Sequence, residues 1–190
     1  MIVTVSGPIG SGKTTVARAI ASRFKLCHIS AGEVFRALAK EQGMTLAEFS
    51  KYAEEHHEVD RLVDERQVEL AKRGNAVVDG RLTAWLLPEA EIKIWLKAPL
   101  EVRAERVAKR EGISYEQALK ETKLREKSEA KRYREIYGID LHDLSPYDIV
   151  LNTSLYEAED VIEIISLCIS LSPYYKGKTS SRAGMSSEGD

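Results

Sequence analysis

Gly7-Pro8-Ile9-Gly10-Ser11-Gly12-Lys13-Thr14 constrains this chain more than any other stretch, because it satisfies the pattern G-x-x-x-x-G-K-[ST]. It follows Ile2–Ser6, a β-branched run that reads as a buried strand. It opens Lys13–Lys25, where Val16, Ala17, Ile20, Ala21 and Phe24 fall on one helical stripe. Strand, glycine-rich turn and helix in that order aim backbone N–H groups and the positive end of a helix at one point, which suits a phosphate. Gly7, Gly10 and Gly12 permit the tight turns and the close approach of the backbone. The Lys13 ammonium can reach the outer phosphate oxygens and the Thr14 hydroxyl can ligate Mg²⁺, with Pro8, Ile9, Ser11 and Thr15 completing the cradle.

Downstream, short apolar runs alternate with helical periodicity. Strands are predicted at Leu26–Ile29, Ala76–Asp79, Glu91–Leu96 and Asp148–Leu151. Helices are predicted at Gly32–Gln42, from an N-cap at Thr45 to about Arg73 with a break at His56–His57, from Pro99 to Arg110, from Ser114 to Tyr137 and at Leu155–Leu171. Thr45 and Glu48 have the spacing of a capping box. Continuously apolar strands imply a parallel sheet covered on both faces, so the expected class is α/β: three layers around a five-stranded parallel sheet. Residues 1–175 form one domain in this reading. The stretch of about 30–73 has no strand and is expected to protrude as a helical lobe. The tail from Lys176 to Asp190, rich in Ser and Gly, is expected to be disordered.

Composition excludes several classes. The 190 residues carry 28 Lys and Arg against 30 Asp and Glu, a net charge of −2, which disfavours a general nucleic-acid binder. No apolar run approaches the roughly 20 residues that span a bilayer, and the opening MIVTVSG has no leader character. Cys27 and Cys168, far apart in sequence, read as two buried thiols in a reducing cytoplasm. The four histidines lack metal-ligand spacing and read as structural or surface residues. Charge is uneven: residues 97–135 are basic, residues 136–165 acidic without Lys or Arg. A basic segment in a slightly acidic chain points to an anionic ligand.

Several residues could hold that ligand. Asp79 ends a strand, facing the crevice where open α/β sheets bind ligands, and can hold Mg²⁺ through water. Arg81 beside it, and Arg36 after the second strand, are placed to clamp a phosphate. Arg103, Arg106 and Arg110 share a helix face, and Arg125, Glu129 and Arg132 repeat that spacing on the next helix. Two such stripes across Gly112 predict a lid over about 104–135. Arg106, Arg110, Arg125 and Arg132 are the expected ligand residues, and some of the others should form helix-surface ion pairs with Glu101, Glu105 and Glu126. Lys13, Arg81, Arg106, Arg110 and Arg132 are the candidates for stabilising a transferring phosphoryl group.

No N-K-x-D element of the guanine readers is present, and a helical lobe after the second strand fits a small-molecule kinase. GPIGSGKTTVA, ISAGEVFR, RQVELAKRGNAVVDGR, REKSEAKR and DIVLNTS together resemble the nucleoside monophosphate kinases, most closely the archaeal-type branch of the cytidylate kinase family, over nearly the whole chain except the tail. The resemblance implies transfer of the γ-phosphoryl of ATP to CMP or dCMP with Mg²⁺, by a cytoplasmic enzyme, expected to be a monomer, that acts on small nucleotides. It implies that the lobe binds the acceptor nucleotide and that Arg36 and Arg81 meet the acceptor phosphate. It further implies that Arg125 and Glu129 contact the sugar and that Arg132 meets phosphate. The chain departs from the bacterial pattern at Leu82, Ala31 and Val59-Asp60-Arg61, and is longer between Arg132 and Asp148. These departures touch acceptor recognition, where Asp60, Arg61, Asp64 and Arg66 supply the carboxylates and guanidinia that cytosine needs. Other acceptors (UMP, AMP, shikimate, dephospho-coenzyme A) and a non-kinase ATPase are the alternatives.

Overall fold

The computed structural model describes residues 1–176. Five strands, β1 (Ile2–Ser6), β2 (Cys27–Ser30), β3 (Ala76–Gly80), β4 (Ile92–Lys97) and β5 (Ile149–Asn152), form one parallel sheet in the order β2-β3-β1-β4-β5. Successive strand residues point to opposite faces, and both faces are apolar. Val3 and Val5 of β1 join Val77, Ile94 and Leu96 under α1 (Lys13–Phe24) and α8 (Ala158–Leu171). On the other face Ala76 and Val78 pack with Ile29, Ala71 and Leu87 beneath α4 (His57–Ala71). The three-layer α/β arrangement is therefore the one expected from continuously apolar strands.

Between β2 and β3 lie α2 (Ala31–Glu41), α3 (Leu46–Glu55) and α4, which carry a small core of their own: Ala39, Phe49, Ala53 and Val59, flanked by Phe35, Leu38 and Met44. The capping box at Thr45 is present, with the Thr45 Oγ1 accepting from Glu48 N and the Glu48 carboxylate accepting from Thr45 N at 2.8 Å. The break at His56 separates α3 from α4.

On the other side, α6 (Leu100–Glu111) ends at Gly112, whose φ of 69° requires the left-handed region. The long α7 (Tyr115–Tyr137) then starts from Ser114, whose Oγ accepts from Gln117 N, and returns across the top of the sheet to pack on α3 and α6. Ile9, Val107 and Ala118 form a fourth apolar cluster where the glycine-rich loop meets these helices.

Three expectations need correction. A short helix, α5 (Thr83–Leu86), follows β3; four residues carry too little periodicity to be seen in sequence. The last helix starts at Ala158, because Thr153–Leu155 forms a 3-10 turn capped by Asn152. Both cysteines are exposed rather than buried: Cys27 opens the edge strand β2, and Cys168 faces outward on α8. The predicted disordered tail lies outside the described residues except for Lys176.

Candidate active site

The carboxyl ends of β1, β2 and β3 open into one cleft, walled by the α2–α4 lobe on one side and by α6 and α7 on the other. Its lining brings together Ile9, Gly10, Lys13, Thr14, Arg36 and Asp79, and across from them Arg81, Arg110, Arg125, Glu129 and Arg132. The loop between β1 and α1 floors it. A Cβ on Gly7 would stand 2.1 Å from Leu96 O and one on Gly10 2.5 Å from Arg103 O, so neither position admits a side chain. Arg103 braces this loop from α6. Its Nη1 donates to Ile9 O at 2.9 Å, its Nε to Ala98 O at 2.9 Å, and it pairs with Glu126 of α7. The ion pair expected for Glu126 is thus made by the arginine of the α6 stripe that sequence did not favour as a ligand.

The cations of the cleft outnumber their counter-charges. Lys13 Nζ donates to Pro8 O at 3.0 Å, and burial together with the nearby Arg81 guanidinium pulls its pKa down to about 7. Arg81, one-tenth exposed, pairs with Glu129 through Nε at 2.6 Å and donates from Nη1 to Gly7 O at 2.6 Å, while its Nη2 has no partner. Arg125 Nε is also buried without one, and burial lowers its pKa. Burial alone would raise the pKa of Glu129, but Arg81 and Arg125 outweigh it and hold the carboxyl ionised. Glu129 and Asp79 thus face the three cations Lys13, Arg81 and Arg125, and donors remain to be satisfied. Buried donors of this kind fit an anion with several oxygens.

Asp79 lies at the bottom, with both carboxylate oxygens buried and neither in a well-aligned hydrogen bond. Burial would raise its pKa, yet the polar surroundings of His28, Ser30, Thr14 and Lys13 hold it below the usual range. His28 Nε2 stands 3.7 Å from Asp79 Oδ1, too far for a hydrogen bond. Sequence reading sets all four histidines aside. His28 belongs with the site because parallel register places β2 beside β3, with Ser30 opposite Asp79, and no sequence spacing reveals that pairing.

The remaining expected residues divide. Arg36 lies at the exposed lobe-side rim. Arg110 lines both this cleft and a second depression across the loop, and also pairs with Glu111 at 2.8 Å. Arg106 faces only that second depression, where it donates to Thr153 O and Oγ1 at 2.9 Å; Thr153 Oγ1 lies 3.0 Å from Ser11 O. The depression is further lined by Gly12, Thr15, Tyr156 and Glu157. Arg132 borders the cleft, but its guanidinium is committed to Asp60, at 2.7 and 3.3 Å, and to Ser128 Oγ at 2.7 Å. Arg61 and Arg66 are exposed outside the cleft, Arg66 pairing with Glu69 at 3.0 Å. Asp64 does line it, one turn beyond Asp60, and accepts from Tyr137 Oη at 2.7 Å. Tyr137, at the far end of α7, is a site neighbour that sequence reasoning misses, because only the tertiary approach of α7 to α4 brings it there.

Among solved structures the fold is similar to shikimate kinase from Bacteroides thetaiotaomicron, with a TM-score of 0.59 and 15% identity over 90% of this chain and 99% of that one. Shikimate kinase from Acinetobacter baumannii gives a TM-score of 0.58 at 20% identity over 89% and 93%. These likenesses establish the fold. Sequence carries the comparison further. A cytidylate kinase from Methanocaldococcus jannaschii is 56% identical over 173 residues, 89% of this chain and 97% of the relative. One from Pyrococcus horikoshii is 53% identical over 169 residues, 89% and 88%. The profile of the cytidylate kinase-like family matches residues 2–155. That span contains the whole cleft, from the glycine-rich loop to Arg132, and the chain accordingly belongs to the cytidylate kinase-like family.

Proposed function

We propose that the protein transfers the γ-phosphoryl group of ATP to CMP and dCMP, giving the corresponding diphosphate and ADP. The observation that carries this reading is the excess of buried cationic donors around Glu129: Lys13 with its depressed pKa, Arg81 Nη2 and Arg125 Nε. An acceptor phosphate oxygen attacks the γ-phosphorus in line as the bond to the β–γ bridging oxygen breaks. The reaction asks the protein for position and charge rather than for covalent chemistry. Lys13 and the loop amides hold the donor's phosphates. Arg81 and Arg125, with Arg36 at the rim, hold the acceptor's phosphate, and the depression lined by Arg106 and Tyr156 suits the donor nucleoside. Arg110, which faces both, is placed to span the transferring group. Thr14 and Asp79 would hold Mg²⁺, a role that fits the two buried oxygens of Asp79, neither in a well-aligned hydrogen bond, and the ion would neutralise charge on the β- and γ-phosphates.

On this reading the lobe of about 30–73 and the lid of about 104–135 close on the substrates and exclude water. On the same reading the enzyme is a monomer that acts on free nucleotides in the cytoplasm. The test is a panel of acceptors with ATP at about pH 8: CMP and dCMP used well, UMP poorly, AMP, shikimate and dephospho-coenzyme A hardly at all. A preferred acceptor outside the cytosine nucleotides would overturn the assignment, and ATP turnover with no phosphorylated acceptor would point to an ATPase instead.

A further inference from the structure

Asp64 is a carboxylate that neither phosphate handling nor ion pairing uses. It lines the lobe side of the cleft, where Phe35, Leu46 and Val63 supply apolar wall. Asp60, one turn earlier, is committed to Arg132, so Asp64 is the carboxylate of that wall without a cationic partner. Its own partners are neutral: Tyr137 Oη donates to Oδ2 at 2.7 Å and Gln67 Nε2 to Oδ1 at 3.3 Å. Each oxygen keeps lone-pair capacity for a further contact.

Resting on the assignment of a pyrimidine nucleotide as acceptor, we propose that Asp64 reads the 4-position of the acceptor base and that its protonation state decides which base is taken. As a carboxylate it accepts a hydrogen bond from the N4 amino group of cytosine and repels the O4 of uracil. As a neutral acid it donates its O–H to O4, and uracil becomes the matched base. The guanidinia that sequence offered for this role, Arg61 and Arg66, are turned away from the cleft, which leaves Asp64 to discriminate.

The surroundings poise Asp64 near neutrality. Burial, reinforced by the Asp60 carboxylate, pushes its pKa up to about 7 against the opposing influence of the Tyr137 hydrogen bond and Arg132. The facing titratable groups are Asp60 and Arg61 on α4 and Arg132, Tyr133 and Tyr137 on α7. Burial raises the pKa of both tyrosines, so they stay neutral donors across the working range. Arg36 of α2, Lys13 at the start of α1, Asp79 and Arg81 at the end of β3, Arg110 of α6, and Arg125 and the paired Glu129 of α7 border the same cleft. Lys13 is also poised near neutrality, but it serves the donor's phosphates, which are common to both acceptor reactions.

The experiment measures kcat/KM for CMP and for UMP with ATP between about pH 5.5 and 8.5 and follows their ratio. Ionisation of the acceptor phosphate is shared by both substrates and cancels in that ratio. The CMP-to-UMP ratio should rise by about tenfold or more across the range, from the cost of an unmatched buried polar group. In Asp64→Asn it should be flat with pH, because an amide cannot titrate. In Tyr137→Phe the midpoint should move to higher pH, because the lost hydroxyl favoured the carboxylate. Calorimetry in two buffers near pH 7 gives an independent readout: relative to each other, CMP should release protons on binding and UMP take them up, a difference that Asp64→Asn abolishes. A pH-independent ratio in the natural protein overturns the proposal. So does a sloping ratio retained in Asp64→Asn or, should that variant not fold, an unmoved midpoint in Tyr137→Phe. Absence of turnover and of calorimetric binding for both nucleotides at every pH overturns the acceptor assignment itself, and is distinguishable from a flat ratio between two working substrates.

Discussion

Lys13 shows how much one ammonium is asked to do. Burial and the neighbouring Arg81 guanidinium lower its pKa to about 7. Lys13→Ala should lower kcat by on the order of 100- to 1000-fold in a folded protein, the usual cost of removing one electrostatic contact to the transferring group. Near-normal turnover would remove the loop from the mechanism. The depressed pKa adds a signed prediction. Above about pH 7 and below the ordinary lysine value of 10.5, the unfolded chain holds a proton on Lys13 that the folded protein lacks. Stability should therefore gain from Lys13 as pH rises through that window. Donor phosphates favour the ammonium, so ATP binding at about pH 8 should take up a proton, read as a buffer-dependent heat, and Lys13→Ala should abolish it. Arg81 tests the division of labour. Arg81→Ala should raise the acceptor KM or lower kcat while leaving the ATP dissociation constant within a few fold, because its guanidinium reaches Glu129 and the acceptor side. An equal loss of ATP binding would show that Arg81 serves the donor.

At the level of elements, the small lobe depends on a single cap and a few apolar side chains. Thr45→Ala removes the acceptor for Glu48 N and should cost about 1 kcal/mol of stability by denaturant titration. Phe49→Ala empties the middle of the lobe core, where Phe49 is 2% exposed, and should cost about 3–5 kcal/mol. If α2–α4 unfold as a unit separate from the sheet, hydrogen exchange will show that loss confined to them. The elements were legible because each signal was local: the glycine loop between strand and helix, the capping box, the break at His56–His57, and Gly112 between α6 and α7. Tertiary choices were not local. Nothing in the spacing of Arg103, Arg106 and Arg110 tells that the first is buried against Ile9 O and Glu126 while the second turns to Thr153. Nor could sequence show that Arg132 would be claimed by Asp60, 72 residues earlier, instead of facing a phosphate unencumbered.

In the whole molecule, that same pair ties the lobe to α7, and Arg81–Glu129 ties the end of β3 to α7 about one turn away. Asp60→Ala should cost about 3–5 kcal/mol, since it strands a guanidinium that is 3% exposed, whereas replacing both partners by apolar residues should recover most of the loss. Equal losses in the single and double variants would show that packing, not the unpaired charge, sets the cost. The strand order has a consequence for how the chain is made. β1 is the middle strand, and both of its neighbours are synthesised after it: Ile2 pairs with Ala76 and Val3 with Ile92. At about 5–20 residues per second, the central strand of the sheet emerges on the order of ten seconds before either edge can be covered. Throughout that interval it is a bare template for pairing with other chains. Newly made protein is therefore most prone to aggregate before β4 is complete, and ribosome-bound chains truncated before residue 92 should engage holding chaperones more strongly than those extended past β5.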